Sequence, residues 1–341
     1  MKTATERLEN LLAGKPVDRP PFMPAIYDLK PAFLQADPFN FGQKEQDIID
    51  ALTFEAEELE ADSLTAGYDI YNIEAEAVGC AVLHDPAILM PEIESPILSS
   101  LSELDKLEVP GGMAGRMEIF VSAASSMLYR YKGSIPVRGG ISGPFTMASK
   151  ICPKETLLME SLTDPVKLTP ILGFCTEVIK IYAKAFADIG AGVVVFDSFA
   201  SPPMISPQTY KDLILPFHRD IFRSLASLGV LQRTLIIGGN TLPILQDMIF
   251  SGATQFLLDF TIPMEAIKSV LQEYPETVFR VNLPPQQFTS QNSRALEDII
   301  NKTLNSLKGH ENLILGTGIL PPNVPPANIL TAKKQIVNFY N

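Results

Sequence analysis

The 341-residue sequence predicts a closed (β/α)8 barrel, the TIM-barrel architecture. Two observations carry that expectation. Eight short apolar runs recur along the chain, at 22–26, 62–66, 135–141, 193–197, 234–237, 255–259, 278–282 and 313–315. Most are too continuous to alternate polar with apolar residues, the pattern of parallel strands buried on both faces. Helix-length amphipathic segments separate them, and strictly alternating strands and helices favour a closed barrel over an open doubly wound sheet.

Each element has a local reason. Thr3 and Glu6 have capping-box spacing ahead of Leu8, Leu11 and Leu12, so a helix precedes the first strand. Asp164-Pro165 and Ser206-Pro207 each offer an N-cap followed by proline at the first helical position. The stretch 85–131 exceeds a normal connection and is expected as an insertion near the barrel mouth, with a helix around 116–128. No linker or low-complexity tract interrupts the chain, so 1–341 reads as one barrel domain.

Composition narrows the function. Lys and Arg number 27 against 39 Asp and Glu, a formal net charge of −12 with 19% charged residues. That balance disfavours a duplex-binding surface, which needs clustered cations. No stretch approaches the roughly 18 uninterrupted apolar residues of a membrane span. The opening MKTATERLENLLAGKPVDRP lacks a signal-peptide apolar region, because Glu6, Glu9 and Lys15 interrupt it. Cys80, Cys152 and Cys175 are too few and too separated for a disulfide framework. A soluble cytoplasmic protein is expected, without nucleic-acid or membrane partners.

A barrel of this kind carries its active site at the carboxyl ends of its strands. Tyr68 and Asp69 follow the second run, Gly143-Pro144 the third, and Asp197 and Ser198 the fourth. Asn240 follows the fifth, Asp259 the sixth, Asn282 the seventh and Thr317 the eighth. Taken singly, each is a turn former or helix cap; as a ring at one face they become candidate ligand contacts. Gly190 and Gly192 precede a strand, so they are no dinucleotide fingerprint. Gly316-Thr317-Gly318 reads as a tight turn rather than a phosphate cradle. Glu74 and Glu76, two apart, point to different faces of a helix. His84, His218 and His310 lack ligand-spaced partners; His218, mid-helix, and His310, in a polar loop, read as solvated or capping residues.

The strand ends also carry a family resemblance. LLAGKPVDRPPFMP, GYDIYNIEAEAVGC, GGISGPFTMAS, VVVFDSFASPPMISPQTYKDLILPFHRDI, LIIGGNTLPIL, FLLDFTIP, FRVNLPP and GTGILPPNVPPANI together resemble the uroporphyrinogen decarboxylase superfamily over nearly the whole chain. That superfamily includes corrinoid-linked methyltransferases, and its fold is a (β/α)8 barrel. In its decarboxylases the resemblance places Asp69 at the aspartate that contacts pyrrole NH groups and Ser198 at a serine after the fourth strand. The arginine-bearing loop for substrate carboxylates is replaced by MPAIYDLKP, a family tyrosine by Lys150, and a family histidine by Thr317. A polycarboxylate substrate needs more cations than that.

EAEAVGC resembles the methyltransferase branch more closely. Its thiol-methylating members hold zinc through a His-x-Cys pair and a later Cys, positions that here read Ile236, Gly238 and Ile319. The resemblance therefore implies a zinc-independent methyltransferase with catalytic Asp69 and Ser198. Tyr68, Asp197, Asn240, Asp259, Asn282 and Thr317 become substrate contacts, suited to a neutral hydrogen-bonding heterocycle such as a pterin. No tightly bound cofactor is expected in this chain: the corrinoid arrives on a partner protein, since the Asp-x-His-x-x-Gly motif is missing. The other partner is a small non-thiol methyl donor or acceptor, and a homodimer is allowed. Tetrapyrrole decarboxylation and a non-catalytic binding relative are the alternatives.

Overall fold

Eight parallel strands form the sheet: β1 Phe22–Met23, β2 Leu64–Ala66, β3 Val137–Ser142, β4 Gly192–Phe196, β5 Arg233–Ile236, β6 Gln255–Leu258, β7 Val278–Leu283 and β8 Leu313–Thr317. Their order is β1-β8-β7-β6-β5-β4-β3-β2, so each strand lies beside its sequence neighbours and the sheet curls almost into a closed barrel. The computed structural model describes residues 2–83, 90–202, 204–290 and 293–341. All eight expected strands are present, offset by a few residues at their ends.

Side chains alternate along a strand, and the alternation stacks the barrel interior in layers. On β7, Val278, Arg280 and Asn282 occupy successive positions of one face. Val278 packs with Met23, Ile314 and the Leu8 and Leu11 of helix Ala4–Leu12. That helix carries the expected capping box: Thr3 Oγ1 accepts from Glu6 N–H and Glu6 accepts from Thr3 N–H. Higher up lies a separate cluster of Ala25, Tyr27, Ile70, Val194, Phe196, Ile236 and Leu257. The larger apolar cluster fills the layer between strands and outer helices.

The seam between β1 and β2 has no ladder. It is joined instead through one residue: Asp62 N–H donates to the Phe22 carbonyl at 2.9 Å, and Phe22 N–H donates to the Asp62 carboxylate at 2.7 Å. The same carboxylate receives Arg7 (3.1 Å), Arg19 (2.7 and 2.8 Å) and Lys333 (2.7 Å). Burial would raise the Asp62 pKa, but hydrogen bonds and charge from Arg19 and Lys333 outweigh it and hold the group below its ordinary value. The DRP segment of the opening motif thus seals the barrel.

Of the two proline-marked helix starts, one is capped as expected. Ser206 Oγ accepts from Thr209 N–H at 3.0 Å, and the chain runs through a π-helical turn at Tyr210–Ile214 into helix Leu215–Ser227. Asp164 makes no side-chain cap; its carboxylate turns to Lys167 at 3.7 Å, and a 3₁₀ turn, Pro165–Leu168, leads into helix Thr169–Asp188. The segment expected as an insertion holds a hairpin of Val82–Leu83 with Glu92–Ile93, a 3₁₀ turn at Leu101–Lys106 and helix Arg116–Tyr131. That helix packs on helix Glu45–Glu57 in the outer ring, with Ser126 donating to Glu45 at 2.9 Å. His84 and positions 85–89 of that segment lie outside the described residues. No helix among the described residues is long and apolar enough to cross a membrane.

Candidate functional site at the barrel mouth

A cavity of about 110 Å3 opens at the carboxyl ends of the strands. The half of the ring from β1 to β4 contributes Ala25, Tyr27, Asp28, Ile70, Tyr71, Phe196 and Ser198. The half from β5 to β8 contributes Ile236, Gly238, Leu257, Asp259, Arg280, Asn282, Thr317, Gly318 and Ile319. Four of the residues singled out from sequence therefore meet here: Ser198, Asp259, Asn282 and Thr317. Ser198 Oγ shares a 2.8 Å hydrogen bond with Tyr71 Oη. Asp259 Oδ1 accepts from the Thr261 N–H and hydroxyl at 3.0 and 2.7 Å. Thr317 Oγ1 accepts from Ala25 N–H at 2.9 Å, tying β8 to the end of β1.

The other four do not line the cavity. Asp69 adopts φ 57°, a left-handed turn that aspartate tolerates, and its carboxylate accepts from Arg116 at 2.8 Å and from Asn72. Arg116 also donates to Glu76 at 2.5 Å, on the helix face opposite Glu74. Glu74 is turned inward, where its Oε1 accepts from Ser142 N–H at 2.7 Å. Burial pushes Asp69 up to about 7 against the pull of Arg116, and pushes Glu74 up to about 7 as well. Tyr68 is buried against Phe41 and donates to the Pro38 carbonyl at 3.2 Å. Asn240 is exposed and closes a local turn, accepting from Leu242 N–H at 3.2 Å.

Asp197 belongs to a buried network under the mouth. It accepts from Thr146 N–H at 2.7 Å and Phe145 N–H at 3.4 Å, the free donors at the start of helix Pro144–Ile151. Gly143 permits that approach, because a Cβ there would stand 2.3 Å from Asp197 Cβ. His218 completes the network: Nε2 donates to Asp197 at 2.8 Å and Nδ1 pairs with Tyr210 Oη at 3.0 Å. The expectation of a solvated or capping His218 is thereby corrected; the residue is fully buried. The signal was available, since His218 falls on the apolar stripe of Leu215, Ile221, Phe222 and Leu225.

Sequence reasoning also passed over Tyr27, Asp28, Tyr71 and Arg280. Asp28 is pushed up to about 6 by burial, with Lys30 pulling the other way. Lys30 itself is committed to Glu55 at 2.8 Å and to the Thr65 carbonyl at 2.7 Å. Arg280 donates to the Thr317 carbonyl at 3.1 Å, while its Nε has no partner. The guanidinium occupies the place that a side chain at Gly316 would take: a Cβ there would lie 2.1 Å from Arg280 Nε. Beneath it, Arg138 donates to Thr65 Oγ1 at 3.0 Å and is pulled down to about 10 by burial, Arg280 adding to the effect.

Ile236, Gly238 and Ile319, where the family resemblance puts zinc ligands, all line the cavity, and none has a donor atom in its side chain. Among the described residues no three of His, Cys, Asp and Glu gather within reach of one ion. The three cysteines are buried and free.

Fold and cavity define the class: a (β/α)8 barrel with a small pocket of mixed polarity at the carboxyl ends of its strands. The chain belongs to the family described as uroporphyrinogen decarboxylase (URO-D), whose model matches residues 3–336. Among its relatives is a methylated-thiol–coenzyme M methyltransferase of Methanosarcina mazei, 29% identical over 209 residues; that match spans 60% of this chain but only 54% of the relative. The methylcobamide:CoM methyltransferase MtbA of Methanosarcina acetivorans is 25% identical over 291 residues, 83% of each chain. A uroporphyrinogen decarboxylase of a Nostoc species is 26% identical over 200 residues, 57% of this chain and 56% of that one. A solved methyltransferase from Methanosarcina mazei superposes with a TM-score of 0.87 over the whole of both chains at 21% identity, a likeness of fold.

Proposed function

We propose that this chain is a methyltransferase that works with a separate corrinoid protein, without zinc, on a methyl compound whose reacting atom is not a thiol sulfur. The observation that carries the reading is the convergence on the mouth cavity of Ile236, Gly238 and Ile319, none of which has a side chain that could ligate zinc. The methyltransferase relatives, one of them matched along 83% of both chains, support the reaction class. A corrinoid presented by its carrier would supply the cobalt that gives or takes the methyl group.

What remains for this chain is to bind and orient the methyl compound and to manage one proton. Asp28 suits the proton step, because it lines the cavity and burial keeps its carboxyl protonated closer to neutrality than a free aspartate. It could protonate a departing oxygen or nitrogen. Asp69, the sequence-based choice for this role, is held on Arg116 away from the cavity and suits a positioning role. Decarboxylation of a tetrapyrrole has less support, because about 110 Å3 lies below the roughly 300–1,000 Å3 of pockets for drug-sized ligands.

The test is to mix the protein with a corrinoid protein and candidate oxygen- or nitrogen-linked methyl compounds, following the cobalt state by absorbance. Methyl exchange that survives chelator treatment and gains nothing from added zinc is the expected result. Silence with every such compound sinks the reading.

A further inference from the structure

The two halves of the mouth cavity differ in kind. On the β1–β4 side stand three aromatic rings, with Tyr27 edge-on to Phe196 at 5.2 Å and Tyr71 edge-on to Phe196 at 6.3 Å between centroids. Asp28 lines the same wall, and its carboxylate has no hydrogen-bonding partner among the described residues. Rings beside an unpaired carboxylate are the surroundings that hold a methylated ammonium ion, through the ring quadrupoles and one opposite charge.

The β5–β8 side offers the complement. Arg280 lines the cavity, is 3% exposed, and spends one side-chain hydrogen bond on the Thr317 carbonyl. Asn282 is 7% exposed and lines the same wall, its Oδ1, an acceptor, turned toward Gly316 beside the guanidinium. A buried guanidinium with a single hydrogen bond has donors to spare, and a ligand carboxylate is the acceptor that suits them best. Asp259, the carboxylate of this wall, gives its Oδ1 to the Thr261 N–H and hydroxyl.

The charges around the cavity also constrain its ligand. The lining itself carries one cation, Arg280, and two carboxylates, Asp28 and Asp259; Arg138 adds a second cation next to Arg280, and Lys30 is paired with Glu55. Such a site best holds a molecule that is neutral overall and strongly dipolar. The cavity volume of about 110 Å3 admits a molecule of only a few heavy atoms.

We propose that the mouth binds a small zwitterion, an N-methylated ammonium carboxylate, with its carboxylate on Arg280 and its methylated nitrogen against Tyr27, Tyr71, Phe196 and Asp28. The ligand class replaces the neutral heterocycle expected from side-chain types alone, because Arg280 and Asp28 were not in that ring. It rests on the methyl-transfer reading only for the fate of the methyl group; with such a ligand Asp28 serves as counter-ion and donates no proton, because loss of a methyl cation leaves a neutral amine.

Titration calorimetry without any corrinoid tests the binding. Trimethylglycine is the probe, set against 3,3-dimethylbutanoate, which keeps the carboxylate but has carbon for nitrogen, and tetramethylammonium, which keeps only the cation. Trimethylglycine should bind at least about tenfold more tightly than either. Arg280→Gln should cost trimethylglycine at least about tenfold while leaving tetramethylammonium unchanged, and Asp28→Asn should weaken both cations but not 3,3-dimethylbutanoate. Equal affinities for the three ligands, or no binding of trimethylglycine at millimolar concentration, would overturn the proposal. The wild-type series decides this even if the Arg280 variant fails to fold. Binding of trimethylglycine without methyl exchange would refute the methyltransferase reading alone; exchange from an uncharged donor without such binding would refute the zwitterion alone.

Discussion

A carboxyl group partly withdrawn from water without a partner holds its proton longer, and Asp28, half-buried at the mouth, is in that position. In the unfolded chain it ionises near its ordinary value of 3.8; in the fold it does so at about 6. Its contribution to stability is therefore complete below about pH 4 and is lost as the pH rises through 6. Glu74 acts in the same direction up to about 7. Thermal melts of wild type and Asp28→Asn between pH 4 and 7.5 should show that the variant, which cannot ionise there, loses part of the downward slope. Identical slopes would mean that Asp28 is solvated. At this scale the site was half legible. Ser198, Asp259, Asn282 and Thr317 lie at or just beyond strand ends and do line the cavity. Arg280 was hidden because it sits inside an apolar run, where alternation turns it into the barrel. Asp69 was misdirected by one left-handed backbone angle that no spacing rule reveals.

Among elements, the start of helix Pro144–Ile151 shows how a strand end is fixed. Asp197, from the neighbouring strand, takes its free N–H groups and the His218 ring together. Asp197→Ala should cost about 1–3 kcal/mol for each buried donor left unpaired, read by chemical denaturation. Gly143→Ala should destabilise too, since its Cβ would overlap Asp197; an unchanged midpoint would show that the junction relaxes. By contrast Thr3→Ala removes only an exposed capping box, worth about 0.5–2 kcal/mol. The strands themselves were legible because burial on both faces leaves an unbroken apolar signature. The end of the 85–131 segment was less so: helix Arg116–Tyr131 takes a place in the outer ring, and none of the described residues 90–131 lines the cavity.

For the whole molecule, closure depends on Asp62. Four cationic or N–H partners from the opening helix, the DRP segment, β1 and the final helix share one buried carboxylate. Removing it leaves Arg19 and Lys333 without their anion, while Arg7 keeps its pair with Asp18, and Asp62→Ala should cost on the order of 3–5 kcal/mol. A loss under about 1 kcal/mol in urea unfolding would show that the seam is held by something else.

That arrangement also sets a timetable for the chain during synthesis. Asp62 and Lys333 are 271 residues apart, and contacts between such distant positions form late because a long loop must first be closed. The first strands can emerge and begin to pair, yet their edge stays open until residue 333 has left the ribosome. Through most of translation the nascent barrel therefore exposes a strand edge to other chains, and its last charged helix acts as the fastener that ends that exposure.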